Sequence, residues 1–186
     1  MKTLITANFG TPNPADFKDQ YQHKYFCEIV QGEVSNDVRI ENSVPFTVGE
    51  WMPTGSIAYI ENGAAKAGAG TSTATKLVIP QIVYVGMEHA NVMSEKYNSG
   101  CGLITTIPLN VANKYMTTVF KEDDTYAQGD LLTVGEFTFN GKTVQGVKKA
   151  TTGKEVIVGV VDTAPMKHHL GPMGIVFVAR FQPATA

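Results

Sequence analysis

Arginine is almost missing from this chain: Arg39 and Arg180 are the only two among 186 residues. Nucleic-acid binders present clustered Lys and Arg on one face. Here the nearest approach to a basic patch is the single pair Lys148-Lys149, on a chain of net charge −2, so direct binding of nucleic acid is not expected. Charge of either sign is scarce: 17% of residues are Asp, Glu, Lys or Arg, against about 25% in globular proteins. The surface must therefore be built from Thr, Ser, Asn, Gln and Gly, which suits an ordinary β-rich domain or a protein covered by neighbours on a lattice. Cysteine is limited to Cys27 and Cys101. Their spacing demands no disulfide, and two reduced, buried thiols are expected of a protein made in a cytoplasm. No apolar run approaches the roughly 18 residues of a membrane span, and the opening "MKTLITANFGTPNP" is too short in apolar residues for a secretory core. Neither membrane insertion nor export is expected.

The chain length suits one sizeable domain. We read residues 1–76 as an N-terminal part with a short helix and a flexible segment, and 77–186 as a β-rich core. Asn13 and Pro14 are a helix-start signal. Phe17, Tyr21 and Tyr25 recur every four residues, which predicts a helix over about Pro14–His23. "FCEIVQGEVSNDVRIENSVPFTVGEWM" reads as strands broken by Gly32 and Asn36-Asp37. "IENGAAKAGAGTSTATK", Ile60–Lys76, has almost no large side chain. Such a segment buries too little apolar area to offset its ordering entropy, so a flexible loop, or an arm that orders against a neighbour, is expected there. In "TKLVIPQIVYVGM" Pro80 argues for an edge strand or a bend. Strands are expected at Leu103–Ile107 and Tyr115–Phe120, with a helix from Val111 as the alternative because Val111, Tyr115 and Val119 are spaced by four.

The last third is the most legible. Asn140-Gly141 between two β-prone runs is the strongest short hairpin signal, since a type I′ turn needs positive φ at both central residues. A two-residue loop pairs Phe139 with Lys142, Thr138 with Thr143 and Phe137 with Val144. That register puts Phe137, Phe139 and Val144 on one face. Further strands are expected at Glu155–Val161 and Ile175–Phe181. The uninterrupted run Val156–Val161 predicts a strand covered on both faces, one of them by the Phe137/Phe139/Val144 hairpin. Gly159 in its middle marks a bulge, a bend or a close backbone approach.

No residue pattern carries chemistry. Adjacent His168-His169 point to opposite faces of a strand, and no spaced zinc-ligand pairs occur. His89, Cys101 and His168 form a metal or catalytic set only if the fold gathers them. Glu122-Asp123-Asp124 lacks the spacing and glycine turn of a calcium loop and reads as a solvated turn. Cys101 between glycines in "NSGCGLI" invites a nucleophile reading, but there is no strand–turn–helix context. "GAAKAGAG" lacks the Gly-Lys-Ser/Thr ending of a phosphate loop. Trp51 is read as core. No catalytic, cofactor-binding or metal-ligating residue is assigned, and the chain is not expected to be an enzyme.

One stretch does carry a resemblance. "YAQGDLLTVGEFTFNGKTVQGVKKATTGKEVIVGVVDTAP", Tyr126–Pro165, sets Gly129-Asp130 before a strand, then the Asn140-Gly141 hairpin, the Ala150–Gly153 turn and Val156–Val161. It resembles the β-domain of tailed-phage head decoration (cement) proteins of the lambda type. The resemblance implies a mainly β fold with one or two short helices: a compact antiparallel barrel or β-tulip with an extended arm. It further implies a virion protein on the capsid exterior, with the major capsid protein as partner, a trimeric homo-oligomer and no cofactor. Arms of such proteins add a strand to the shell or to a neighbour. Other classes compatible with the composition are a capsid, tail-tube or head-fibre subunit, a Cys- or metal-dependent hydrolase, and a carbohydrate-binding β-sandwich built on Trp51.

Overall fold

A computed structural model describes residues 27–31, 41–46, 52–70, 76–81, 103–111, 113–139, 141–167 and 173–183. Among them the chain forms eleven strands: β1 (Cys27–Gln31), β2 (Glu41–Pro45), β3 (Ala58–Glu61), β4 (Ala64–Ala67), β5 (Leu77–Gln81), β6 (Leu103–Pro108), β7 (Lys114–Thr117), β8 (Leu131–Phe139), β9 (Lys142–Lys149), β10 (Ile157–Lys167) and β11 (Met173–Gln182). They make two antiparallel sheets. The larger has the order β1-β7-β11-β10-β8-β9 and the smaller β2-β6-β5-β3-β4. The mainly β, antiparallel class read from the sequence is the observed one. The sheets stay open and do not close into a barrel, and no helix occurs among the described residues. The helix expected at Pro14–His23 lies outside them. The helix considered from Val111 is not formed, because β7 pairs with β1 on one side and β11 on the other, with Tyr115 opposite both Ile29 and Phe177.

The main core joins the sheets. Ile57, Leu77 and Ile79 of the smaller sheet meet Tyr115, Leu132, Val147, Val158, Val161, Ile175 and Phe177 of the larger. A second core lies within the smaller sheet: Val44, Phe46, Met52, Ala58, Ala65 and Val78. Successive strand residues point to opposite faces, so Leu77 and Ile79 serve the first core while Val78 serves the second. This is why β5 is apolar without interruption from Leu77 to Pro80. Each such large side chain contributes about 1.5–3 kcal/mol on burial.

The segment expected to be a loop from Ile60 holds a hairpin instead, β3–β4, with Glu61 opposite Ala64. Its turn is Asn62-Gly63, with φ of 52° and 79°. That is the positive-φ pair a type I′ loop requires. The small side chains have a use here: Ala58 and Ala65 are fully buried, and Phe46, just past β2, bridges to Ala65. Alanine lets the two edges of the smaller sheet approach this closely. Residues 71–75 of the same segment lie outside the described set.

Pro80 sits in β5, an interior strand between β6 and β3, not at a sheet edge. Leu109 donates to the Leu77 carbonyl at 2.9 Å and Ile60 to that of Lys76 at 2.9 Å. Even-numbered residues of β5 therefore aim their backbone groups at β3. Pairing with β3 ends at Ala58↔Val78, so the N–H that proline lacks would face no strand.

The β8–β9 register is the expected one: Phe137↔Val144, Thr138↔Thr143 and Phe139↔Lys142. Ile157, Val158 and Val161 of β10 are buried, flanked by β8 and β11. The expected contact of this run with Phe137, Phe139 and Val144 is not made. Those three gather around Val119 in a separate cluster, because β10 pairs with β8 only at Leu131–Thr133, the far end from the hairpin tip.

Candidate interaction surface

The motif residues Gly129, Asp130 and Ala150–Gly153 build turns. Asp130 N–H donates to the Ala127 carbonyl at 3.1 Å and Gly129 has φ of 90°, the positive angle needed at the third position of a type II turn. Asp130 Oδ2 accepts from the Ala127 N–H and pairs with Lys149 Nζ, both at 2.7 Å. Lys149 first, and the Ala127 N–H second, hold the Asp130 carboxyl below the usual carboxylate range. The Ala150–Gly153 turn is closed by Glu155, whose Oε2 accepts from Thr151 and Thr152 N–H at 2.7 and 3.0 Å. Lys149 is thereby engaged in an ion pair, and Lys148 lies 3.9 Å from Glu155, so neither forms a basic patch.

Asp124 ends the acidic run by bonding inward. It pairs with Lys121 at 2.7 Å and accepts from the Lys149 N–H at 3.2 Å, while Glu122 and Asp123 stay exposed, as a solvated turn should. Cys27 on β1 is half-buried against the main core, less enclosed than expected. Cys101, His89, His168, His169 and Trp51 lie outside the described residues, and with them the whole His89/Cys101/His168 set. Among the described residues no three His, Cys, Asp or Glu gather to hold a metal ion.

What the sequence reading missed is the outer part of the β10–β11 hairpin. Pairing of β10 with β8 ends at Val160↔Leu131, and Val161 bonds only to the turn, through Gly129 N–H and the Asp130 carbonyl. From Asp162 to Lys167 no strand among the described residues pairs with that edge of β10. The stretch carries Pro165 and irregular register against β11 between Val161 and Met166. Met166 is 47% exposed and Met173, opposite Lys167, 43%. The base of this arm is fixed by the Lys114–Asp162 ion pair at 2.9 Å, which lowers the Asp162 pKa. The apolar run read at Val156–Val161 ends at Asp162, where the sequence predicts the strand to stop, whereas β10 continues to Lys167.

Several titrations set a pH window. Burial raises the pKa of Tyr115, whose hydroxyl donates to the Pro108 carbonyl, and of Tyr126, whose hydroxyl donates to the Lys121 carbonyl. A raised folded pKa gives stability that is complete below the unfolded value, about 10, and is lost as pH rises beyond it. The lowered values of Asp130 and Asp162 act in the opposite sense, giving stability present above about pH 4 and lost on acidification. We expect these groups to give a plateau of melting temperature between about pH 4 and pH 10, falling on both sides. Scanning calorimetry across pH checks it; a melting temperature unchanged at pH 11 would remove the tyrosine contribution. No protein-family model, curated protein or solved structure matches the chain.

Proposed function

We propose that this chain is a structural virion protein that binds the outer surface of a phage capsid and stabilises it, acting as a trimer. The observation that carries the reading is the edge of β10 from Asp162 to Lys167, which no strand among the described residues pairs with, and the exposed Met166 and Met173 beside it. A strand edge offers backbone donors and acceptors to an incoming strand, and methionine packs adaptably against a partner. The resemblance of Tyr126–Pro165 to cement proteins supports the same reading. Its motif elements are the turns and strands that lead directly into this arm: Gly129-Asp130, the β8–β9 hairpin, the Glu155-closed turn and β10. Locking capsomers from outside needs burial and backbone pairing, and asks nothing of a catalytic group.

The test is co-sedimentation with expanded shells of the cognate major capsid protein, with and without heating. Binding, and a raised temperature of shell disruption, are expected. Met166→Asp/Met173→Asp is expected to weaken binding about tenfold or more, since burying an unpaired carboxylate in an apolar contact is strongly unfavourable. The melting temperature of the free protein should not move, because both side chains are exposed. A chain that does not sediment with expanded shells, or does not protect them, is not a cement protein.

A further inference from the structure

The Asn62-Gly63 turn joins β3 to β4, and β4 is the outermost strand of the smaller sheet. Both turn residues are exposed. Gly63 has no side chain, and nothing lies within 4 Å of where a Cβ would stand. Among the described residues no group accepts from the Gly63 N–H or bonds to the Asn62 side-chain amide. An electrophilic amide carbon and a nucleophilic nitrogen therefore sit on neighbouring residues with neither engaged. Holding two such groups on one short stretch of chain makes their reaction intramolecular, which lowers its barrier.

We propose that Asn62 is a site of spontaneous deamidation in the folded protein. Hydroxide takes the Gly63 N–H proton, and the nitrogen forms a bond to Asn62 Cγ. The Cγ–Nδ2 bond breaks and Nδ2 leaves as ammonia, which closes a five-membered succinimide. Water then adds at one of its two carbonyls. Addition at Cγ breaks the new N–Cγ bond and leaves aspartate. Addition at the Asn62 main-chain carbonyl breaks the original peptide bond instead, so the chain afterwards runs through Cβ and Cγ as isoaspartate. No oxidant or reductant enters. The type I′ form must open before the nitrogen reaches Cγ. Opening breaks only the Glu61↔Ala64 rung at the tip of an edge hairpin, and glycine gives that tip its freedom to rotate. Such tips lie at the low end of local stability.

The two products differ in consequence. Aspartate tolerates the positive φ of 52° that Asn62 adopts, as asparagine does. Isoaspartate lengthens the main chain inside a two-residue loop whose length fixes the strand register. The shift draws Ala65 away from the fully buried place where Phe46 bridges to it. Deamidation is therefore a one-way loosening of β4 from the smaller sheet, driven by time and alkalinity. The inference stands apart from the capsid reading, which asks nothing of this turn.

The test incubates the full-length folded protein at mildly alkaline pH and follows each asparagine by peptide mass mapping. Isoaspartate is scored with an isoaspartate-specific carboxyl methyltransferase. We expect Asn62 to convert about tenfold or more faster than Asn42, Asn110 or Asn113, which precede Ser43, Val111 and Lys114. The rate should rise in proportion to hydroxide. Aged protein should melt below freshly made Asn62→Asp, because only the aged chain carries the lengthened loop. Asn62→Gly keeps a pair suited to the turn and should lose nothing over the same incubation. The peptide acetyl-Ile-Glu-Asn-Gly-Ala-Ala-amide supplies the rate without a fold. Asn62 remaining an amide in the folded protein while this peptide converts would overturn the proposal. So would conversion no faster than at Asn42, Asn110 and Asn113, or aged protein that melts as Asn62→Asp does. The mass map uses the unaltered chain, so it decides the matter however the variants fold.

Discussion

Gly159→Val is expected to destabilise the fold by about 3 kcal/mol or more, at the upper end of what overpacking costs. A Cβ built at this position comes within 2.5 Å of Phe177 Cδ2 and 3.0 Å of the Val178 carbonyl oxygen. The ring has nowhere to retreat: Phe177 is fully buried and stacked on Tyr115. The backbone is no softer, since β10 bulges here against both of its neighbours, β8 and β11. Stability of a domain this size is about 5–15 kcal/mol, so the variant should be soluble only marginally or not at all. Gly159→Ala, with the Cβ alone, should fold and lose about 1–3 kcal/mol. Gly153→Ala is the control, because nothing lies within 4 Å of its added Cβ, and it should shift stability by no more than about 0.5 kcal/mol. Urea denaturation ranks the three. If Gly159→Val matches Gly153→Ala, then β10 and β11 do not pack as described.

The same position shows what a sequence can and cannot carry. A glycine inside an apolar run limits the possibilities to a bulge, a bend or a close approach, and Gly159 is both bulge and close approach. Nothing in the run says that the approaching group is Phe177, because that contact depends on the register between two strands. Hairpins joined by Asn-Gly are local, and the β8–β9 register follows from turn chemistry alone. The second such pair, Asn62-Gly63, was obscured by its surroundings: a run of alanine and glycine reads as loop when nothing is known of a cramped space to fill. That space is made by Phe46 and Val78, far apart in sequence, and small residues become good strand residues only there. Pro80 misleads for the same reason. Its cost depends on whether β3 extends opposite it, and β3 does not. The candidate surface was less legible than the fold. A free strand edge is defined by where pairing stops, and the end of the β8–β10 ladder at Leu131 follows from the type II turn at Gly129, which carries the chain off the sheet.

The second large effect is expected at Tyr115, which does two jobs at once. Its ring is fully buried and stacks on Phe177, with centroids 5.8 Å apart and planes at 28°. Its hydroxyl accepts from the Asn110 N–H at 2.9 Å and donates to the Pro108 carbonyl at 3.1 Å, fastening the loop between β6 and β7. Because β6 belongs to the smaller sheet and β7 to the larger, this one side chain ties the loop that joins them. Tyr115→Ala removes the ring from the main core and should cost about 3–5 kcal/mol, visible as a fall in the urea midpoint at unchanged slope. Tyr115→Phe keeps the ring and leaves a part-buried N–H and a buried carbonyl without their partner, a loss of about 1–3 kcal/mol. The two variants also part in their pH dependence from the parent. The Tyr115 pKa is raised chiefly by burial, so the neutral phenol stabilises the folded chain and the benefit vanishes above about pH 10. Tyr115→Phe has no such proton to lose. Its stability deficit relative to the parent should therefore shrink as pH rises from about 9 to about 11. A deficit that stays constant over that range would mean that burial does not hold the phenol neutral in the folded chain.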